Sequence, residues 1–178
     1  MTTRLLKFFT LIALLTTYAC SSTAPVTDAV ESPSNSIQPA WYASAESAYD
    51  SVAYYGFGTA IASDSSLAIE KAEMQAKIRL EKLVDETSEE IRNDLVDEGS
   101  TDADNTDFII ILRKATTLIR TAASTENAVA VKVDGNYRAF AKAGITKTQI
   151  RSTLEKGFTG HPRYWGGFSG ADSFAANF

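Results

Sequence analysis

The sequence predicts an α+β fold: a small antiparallel sheet of about three strands, packed by two or three helices of which one is long. Three observations support this class. Residues 67–96 carry apolar side chains at helical spacing, residues 54–60 form a short aromatic strand before them, and two alternating segments flank a turn at 134–136. The predicted element order is β-α-α-β-β-α.

Length and composition fit one globular domain. The chain has 178 residues, of which 44% are hydrophobic and 22% are charged, values that are ordinary for a single core. Its formal net charge is −5. A chain this acidic is not expected to have the basic surface that binds phosphate backbones, so no nucleic acid partner is expected. The only cysteine is Cys20, which rules out an intrachain disulfide and metal sites that need several cysteines.

The first residues have the build of an export signal. Arg4 and Lys7 precede the apolar run 8–15, which is too short to cross a bilayer permanently as a helix. Ala19, a small residue, comes directly before Cys20, and this arrangement resembles the lipobox of bacterial lipoproteins. We therefore expect a lipoprotein signal peptide over residues 1–19. Cleavage by an ordinary signal peptidase is the alternative.

Cys20 and the residues after it are expected to form a lipid anchor and a spacer. The resemblance to bacterial lipoproteins implies that Cys20 is acylated. It also implies that the serine after it acts as an outer-membrane sorting signal. More than one acyl chain makes release negligible, because each buried methylene contributes about 0.8 kcal/mol. Residues 20–39 contain three of the four prolines and no aromatic residue, so we expect a disordered spacer.

The folded part is expected to begin near Trp41, and the first strand to lie within 51–62. The long helix that follows carries small residues on its buried face, which lets it approach the sheet closely. These alanines, one turn apart, are Ala68, Ala72 and Ala76. Gly56 and Gly58 are expected to let the strand backbone bend or pass close under this alanine face.

A second helix is predicted over 108–123 from its apolar spacing, after an acidic stretch that we interpret as a solvated loop. The β-branched run 109–111 leaves a strand open as the alternative. As a helix, the segment directs Ile109 and Ile110 away from the main apolar stripe. These two side chains then need another apolar surface to pack against, and a neighbouring subunit is a candidate for it.

A hairpin and a third helix are predicted next. The strands lie at 127–134 and 137–145, and the turn between them contains Gly135, a residue that tolerates positive φ. Alternation places Ala139, Ala141 and Ala143 on one face and Phe140 on the other. One face of the hairpin is expected to meet helix, and the other to be at least partly wet. The third helix is predicted over 147–156.

The tail, residues 157–178, combines five of the ten glycines with six aromatic side chains. Two interpretations stay open: the tail packs onto its own domain, or it forms an arm that grips a second copy or another envelope protein. The candidate residues for the second interpretation are Phe158, Tyr164, Trp165, Phe168, Phe174 and Phe178.

The sequence contains no convincing catalytic constellation. The only histidine, His161, lies in the glycine-rich tail, where a catalytic base would be poorly anchored. Gly56 and Gly58 lack the third glycine of a dinucleotide-binding fingerprint. Charges on the long helix, such as Glu73 and Lys77, are typical of a solvated face with ion pairs. We therefore expect no enzyme activity, no cofactor and no metal.

Taken in order, these features resemble a known family. The lipobox, the polar spacer, the strand at 54–60, the alanine-spaced helix and the hairpin at 131–139 are together similar to the LPP-twenty lipoprotein family of Gram-negative envelopes, which includes the flagellar lipoprotein P. The likeness covers residues 40–156. It implies an α/β domain that is anchored in the outer membrane, faces the periplasm and has no known catalysis. Flagellar members assemble into rings or discs around the basal body.

We therefore expect a non-enzymatic outer-membrane lipoprotein that self-associates in a flagellum-associated ring or disc needed for motility. Its expected partners are other copies of itself and basal-body or other envelope proteins. The alternative is an envelope binding module for peptidoglycan or a small ligand. A deep pocket between the strand at 54–60 and the helices would favour that alternative.

Overall fold

The computed structural model describes residues 37–43 and 45–178, and it confirms the α+β class. The sheet is antiparallel, with the strand order β1-β2-β4-β3. Its strands are β1 (Ser47–Tyr49), β2 (Ala53–Ala62), β3 (Ser124–Val133) and β4 (Asn136–Thr146). The helices are α1 (Ser65–Asp97), α2 (Thr106–Thr117), α3 (Ile119–Ala122), α4 (Lys147–Gly157), α5 (Pro162–Ser169) and α6 (Asp172–Asn177).

The strand count and the element order differ from the prediction of about three strands in the order β-α-α-β-β-α. β1 lies between Trp41 and the predicted first strand, where the sequence predicts no strand. Three residues are too few to show an alternating pattern. β1 is a strand because it pairs with β2, where Tyr49 lies opposite Tyr54.

The predicted long helix is confirmed as α1, which begins after the N-cap residue Asp64. The Asp64 carboxylate accepts a hydrogen bond from the backbone N–H of Leu67 at 3.0 Å, which satisfies one of the unpaired donors of the first turn. α1 covers the inner face of the sheet with fully buried residues. Its fully buried apolar residues up to Val84 are Ala68, Ala72, Ala76, Leu80 and Val84.

The predicted close approach of β2 and α1 is also confirmed. A Cβ atom built on Gly58 would lie 2.1 Å from the carbonyl oxygen of Ala72, and one on Gly56 would lie 2.1 Å from that of Ala76. No side chain fits at such distances. The small residues on both elements therefore set the distance between the helix and the sheet.

The β3–β4 hairpin has the predicted turn. Asp134 and Gly135 both have positive φ, 49° and 83°, as two-residue hairpin turns of the favoured type require. The alternation is as predicted, and the structure shows that the face with Ala139, Ala141 and Ala143 is the inner one, where all three are buried in the core. Phe140 lies on the outer face, where the ring of Tyr42 packs 5.0 Å from it, centroid to centroid.

The predicted second helix is divided at Leu118 into α2 and the single turn α3. Just before this break, the hydroxyls of Thr116 and Thr117 donate to the carbonyls of Arg113 and Lys114 at 3.0 and 2.7 Å. Such local bonds compete with the regular helical ladder. The break turns the chain toward β3.

The tail is not a separate segment after residue 156, because α5 and α6 belong to the compact unit Ser36–Phe178. Their aromatic rings extend the core beyond α2 and α4. Phe168, for example, lies 5.9 Å from Phe108 and 5.3 Å from Phe174, centroid to centroid. The interpretation in which the tail packs onto its own domain is therefore the one that the structure supports.

No helix among the described residues combines the length and the apolar character needed to cross a membrane.

Candidate interaction surface

The contact between β2 and α1 leaves no room for a ligand among the described residues. Gly56 and Gly58 bring the two backbones too close together for even a methyl group. The deep pocket that would favour a ligand-binding module at this position is therefore not present. Any interaction surface of the domain must lie on another face.

The outer face of the sheet is the more open one. Register places Ile61 opposite Arg138 and Arg138 opposite Val131, so these three side chains form one row across the face. In the next row, Thr59, Phe140 and Val129 lie side by side.

The segment at 37–43 covers part of this face. The ring of Tyr42 packs on Phe57 and Phe140 at 5.8 and 5.0 Å, centroid to centroid, so both phenylalanines are buried. Beside it lies a cleft of about 490 Å³. Ile61, at the rim of the cleft, is 56% exposed. The residues that line the cleft are Gln38, Tyr42, Thr59, Ala60, Ile61, Arg138 and Phe140.

β3 forms one edge of the sheet. Within residues 37–43 and 45–178, its only strand partner is β4. A bulge between Thr125 and Asn127 interrupts the register near its start, and Glu126 in that bulge pairs with Lys142 at 2.8 Å. From Ala128 to Val133 the strand is regular. This regular part therefore presents a straight row of backbone donors and acceptors at the edge.

One side of α1 borders this edge on the inner face. Gln75 and Arg79 point toward β2, where they hydrogen-bond to the backbone of Thr59 and Phe57. Helical spacing places Glu73 and Lys77 on the opposite side of α1. Since α1 also packs beneath β3, that side faces β3.

The predicted self-association residues of the tail are mostly inside the protein. Phe158, Phe168, Phe174 and Phe178 are buried in the core, so they cannot form an exposed arm. Tyr164 and Trp165 are half-buried and pack against the same core. The prediction of these six residues as a gripping surface is corrected accordingly.

The other predicted residues are distributed differently. Ile110 is 45% exposed, whereas Ile109 is half-buried. His161 is exposed, and its ring stacks on Tyr164 with 6.0 Å between centroids. Cys20 lies outside the described residues. The predicted residues therefore do not come together as one site.

The shifted pKa values of the described residues have structural causes. The backbone N–H of Val52 donates to the Asp50 carboxylate and holds its pKa below the usual value. Burial raises the pKa of Tyr54, and a hydrogen bond to Glu81 raises that of Arg120. No group of three or more His, Cys, Asp or Glu side chains in the described part of the chain could hold a metal ion.

The sequence did not indicate the β3 edge as a candidate surface. Val129, Val131 and Val133 are visible as an alternating strand, but only the order β1-β2-β4-β3 shows that this strand is an outer one. The domain is therefore of the α+β class with a partly open sheet face and a long edge strand. No family model, no curated protein and no solved structure matches the chain.

Proposed function

We propose that this protein is a non-enzymatic lipoprotein of the outer membrane, which faces the periplasm and self-associates. The observation that carries the proposal is the position of Cys20: the only cysteine directly follows Ala19 at the end of a short apolar export signal. Acylation accounts for Cys20, because a single cysteine at a secreted N-terminus has no disulfide partner within its own chain. The acyl chains hold the domain at the membrane, because their buried area makes release rare.

The assembly role is that of a structural component in a flagellum-associated ring or disc needed for motility. It is supported by the resemblance of residues 40–156 to the LPP-twenty family. Self-association needs a surface that is free when the protein is a monomer. The β3 edge and the open part of the outer face meet this need among the described residues.

Gene deletion tests the flagellar part of the proposal. We expect the deletion strain to swim poorly and in-situ imaging of its motors to lack ring or disc density. The wild-type gene should restore both, whereas a Cys20→Ser variant should restore neither, because its product is not held at the membrane. A fully motile deletion strain with unchanged basal bodies would contradict the flagellar role.

A second candidate function is binding of peptidoglycan or a small ligand, which the cleft on the outer face favours. Tyr42 and Phe140 supply flat apolar walls there, and Arg138 supplies a charge. This candidate predicts that soluble peptidoglycan fragments shift the NMR resonances of Thr59 and Ile61. Unchanged resonances at millimolar fragment would remove it.

A further inference from the structure

We propose that two copies of this chain pair edge to edge through β3, antiparallel, around a two-fold axis at Ala130. The proposal rests on the self-association in the proposed function and names the surface that carries it. The pairing joins two four-stranded sheets into one continuous sheet. An isologous contact of this kind uses the same patch on both copies, so it closes into a dimer, which would be the unit from which a ring or disc is built through a second contact.

The edge itself supports strand pairing. β3 has ten residues, no proline, and a regular run from Ala128 to Val133 after its bulge. Natural proteins commonly protect such edges with prolines, very short strands, bulges or charges, lysine above all. β3 has a bulge near its start and one lysine in its regular part, Lys132, and the pairing proposed here gives that lysine a partner of opposite charge. The bulge limits pairing to the half of the strand that follows it.

Packing on the two faces is compatible with this register. With the axis at Ala130, Val129 lies opposite Val131 of the second copy on the outer face, and the reverse pair follows by symmetry. On the inner face the two Ala130 side chains meet, and they are small enough to lie in direct contact. β-branched pairs across a strand interface each contribute roughly 0.2–1 kcal/mol.

Charge supports the same register. Lys132 of the second copy lies opposite Ala128, on the inner face. Ala128 pairs with Ala141, which pairs with Gly58, and Gly58 lies over Ala72 of α1. Glu73 is the next residue and lies on the side of α1 that faces β3. The lysine of each copy therefore approaches the Glu73 of the other.

The position of the membrane tether favours a second copy as the occupant. A two-fold axis perpendicular to the sheet keeps both outer faces on the same side of the joined sheet. The segment at 37–43 lies over that face in each copy, where Gln38 and Tyr42 line the cleft. Both spacers then start from one side, as two copies anchored in one membrane require.

A single cysteine placed on the axis tests the pairing in the full-length protein in membranes. Ala130→Cys should give a disulfide-linked dimer after mild oxidation, because the two Cβ atoms lie opposite each other. Val133→Cys, on the same strand, is the matched control. Its two copies lie about 20 Å apart, six residue positions at 3.4 Å each, and should not cross-link.

Three results separate the inference from the proposed function. No Ala130→Cys dimer in a protein that still sediments as an oligomer after detergent extraction would overturn the β3 pairing alone. A protein that is monomeric under all conditions would overturn self-association as well. Cross-linking of the wild-type chain through Cys20 would show a free thiol there and contradict the lipid anchor.

Charge reversal supplies an independent test. Lys132→Glu and Glu73→Lys should each weaken dimerisation on the order of tenfold, because each places like charges together at two symmetric contacts. The double variant should recover most of the wild-type dimer. Single variants with wild-type dimerisation, or a double variant that is weaker than either single one, would overturn the register.

Discussion

Single residues set the closest contact in this fold, where β2 passes over α1. Gly56 and Gly58 lie above the carbonyls of Ala76 and Ala72, which have no flexible side chain that could move aside. At Gly166 and Gly167, by contrast, an added Cβ atom would meet nothing within 4 Å. The effect of adding one methyl group therefore depends on where in the fold the glycine lies.

Gly58→Ala should lower the free energy of unfolding by about 1–3 kcal/mol or more, because its Cβ atom would lie 2.1 Å from a backbone oxygen. Urea unfolding measures the change. Gly167→Ala is the control, since a Cβ atom on this residue of α5 meets nothing within 4 Å. The control should be neutral or gain up to about 1 kcal/mol in helix propensity. Equal effects of the two variants would contradict the close approach.

Tyr54 gives the domain a pH dependence at the alkaline end. Burial raises its pKa above the ordinary value of 10.0, so the neutral phenol is favoured in the folded state. The resulting stability is present below that ordinary value and is lost as the pH rises through the folded-state pKa. The Tyr54 hydroxyl also donates to the carbonyl of Asn177 at 3.1 Å.

Tyr54→Phe should therefore cost about 1 kcal/mol at pH 8, through the lost hydrogen bond, and should weaken the loss of stability above pH 10. Unfolding in urea at both pH values measures the two effects. Tyr49→Phe, at a side chain that is 62% exposed, removes a neighbouring phenol that contributes to the raised pKa of Tyr54, so it should change the slope by less than Tyr54→Phe does. A Tyr54→Phe protein with the same alkaline slope as wild type would show that another group carries it.

At the scale of elements, the tail changes the core of the domain. α5 and α6 place Phe168, Phe174 and Phe178 against α1, α2 and α4. Helix-helix contact with α2 is also close at Gly157, where a Cβ atom would lie 2.2 Å from that of Ala115. The tail therefore stabilises the domain, rather than reaching out from it.

Phe168→Ala should cost about 3–5 kcal/mol, since the side chain is fully buried among other rings. Ile110→Ala, at a half-exposed position of α2, should cost less than about 1 kcal/mol. Thermal or urea unfolding compares them. A Phe168→Ala protein of wild-type stability that has lost its oligomeric state would revive the gripping arm and contradict the buried tail.

The helices and strands could be predicted from the sequence better than the way they pair and pack in space. Periodicity identified α1, and the turn at Gly135 identified the β3–β4 hairpin, because these signals are local. β1 and the position of β3 at the edge depend on pairing between distant segments, which no local pattern encodes. The tail was ambiguous for a related reason: glycine and aromatic residues are compatible with a docked segment and with an arm. Burial of Phe168 in the structure decides between them.

At the scale of the whole molecule, the proposed function combines a lipid anchor with a domain that acts through contacts with other proteins. The processed chain would lose two basic residues and no acidic one with residues 1–19, which changes its formal charge from −5 to −7. Anionic lipid head groups would then repel the chain, so electrostatic attraction does not account for membrane binding. In the proposed function, the acyl chains on Cys20 supply the attachment.

Mass spectrometry of the N-terminal peptide from the membrane fraction tests this most directly. The account predicts a chain that begins at Cys20, carries acyl groups and resists extraction with high salt, and a Cys20→Ser variant that appears in the soluble fraction. A mature chain with an unmodified thiol that washes freely from the membrane would contradict it.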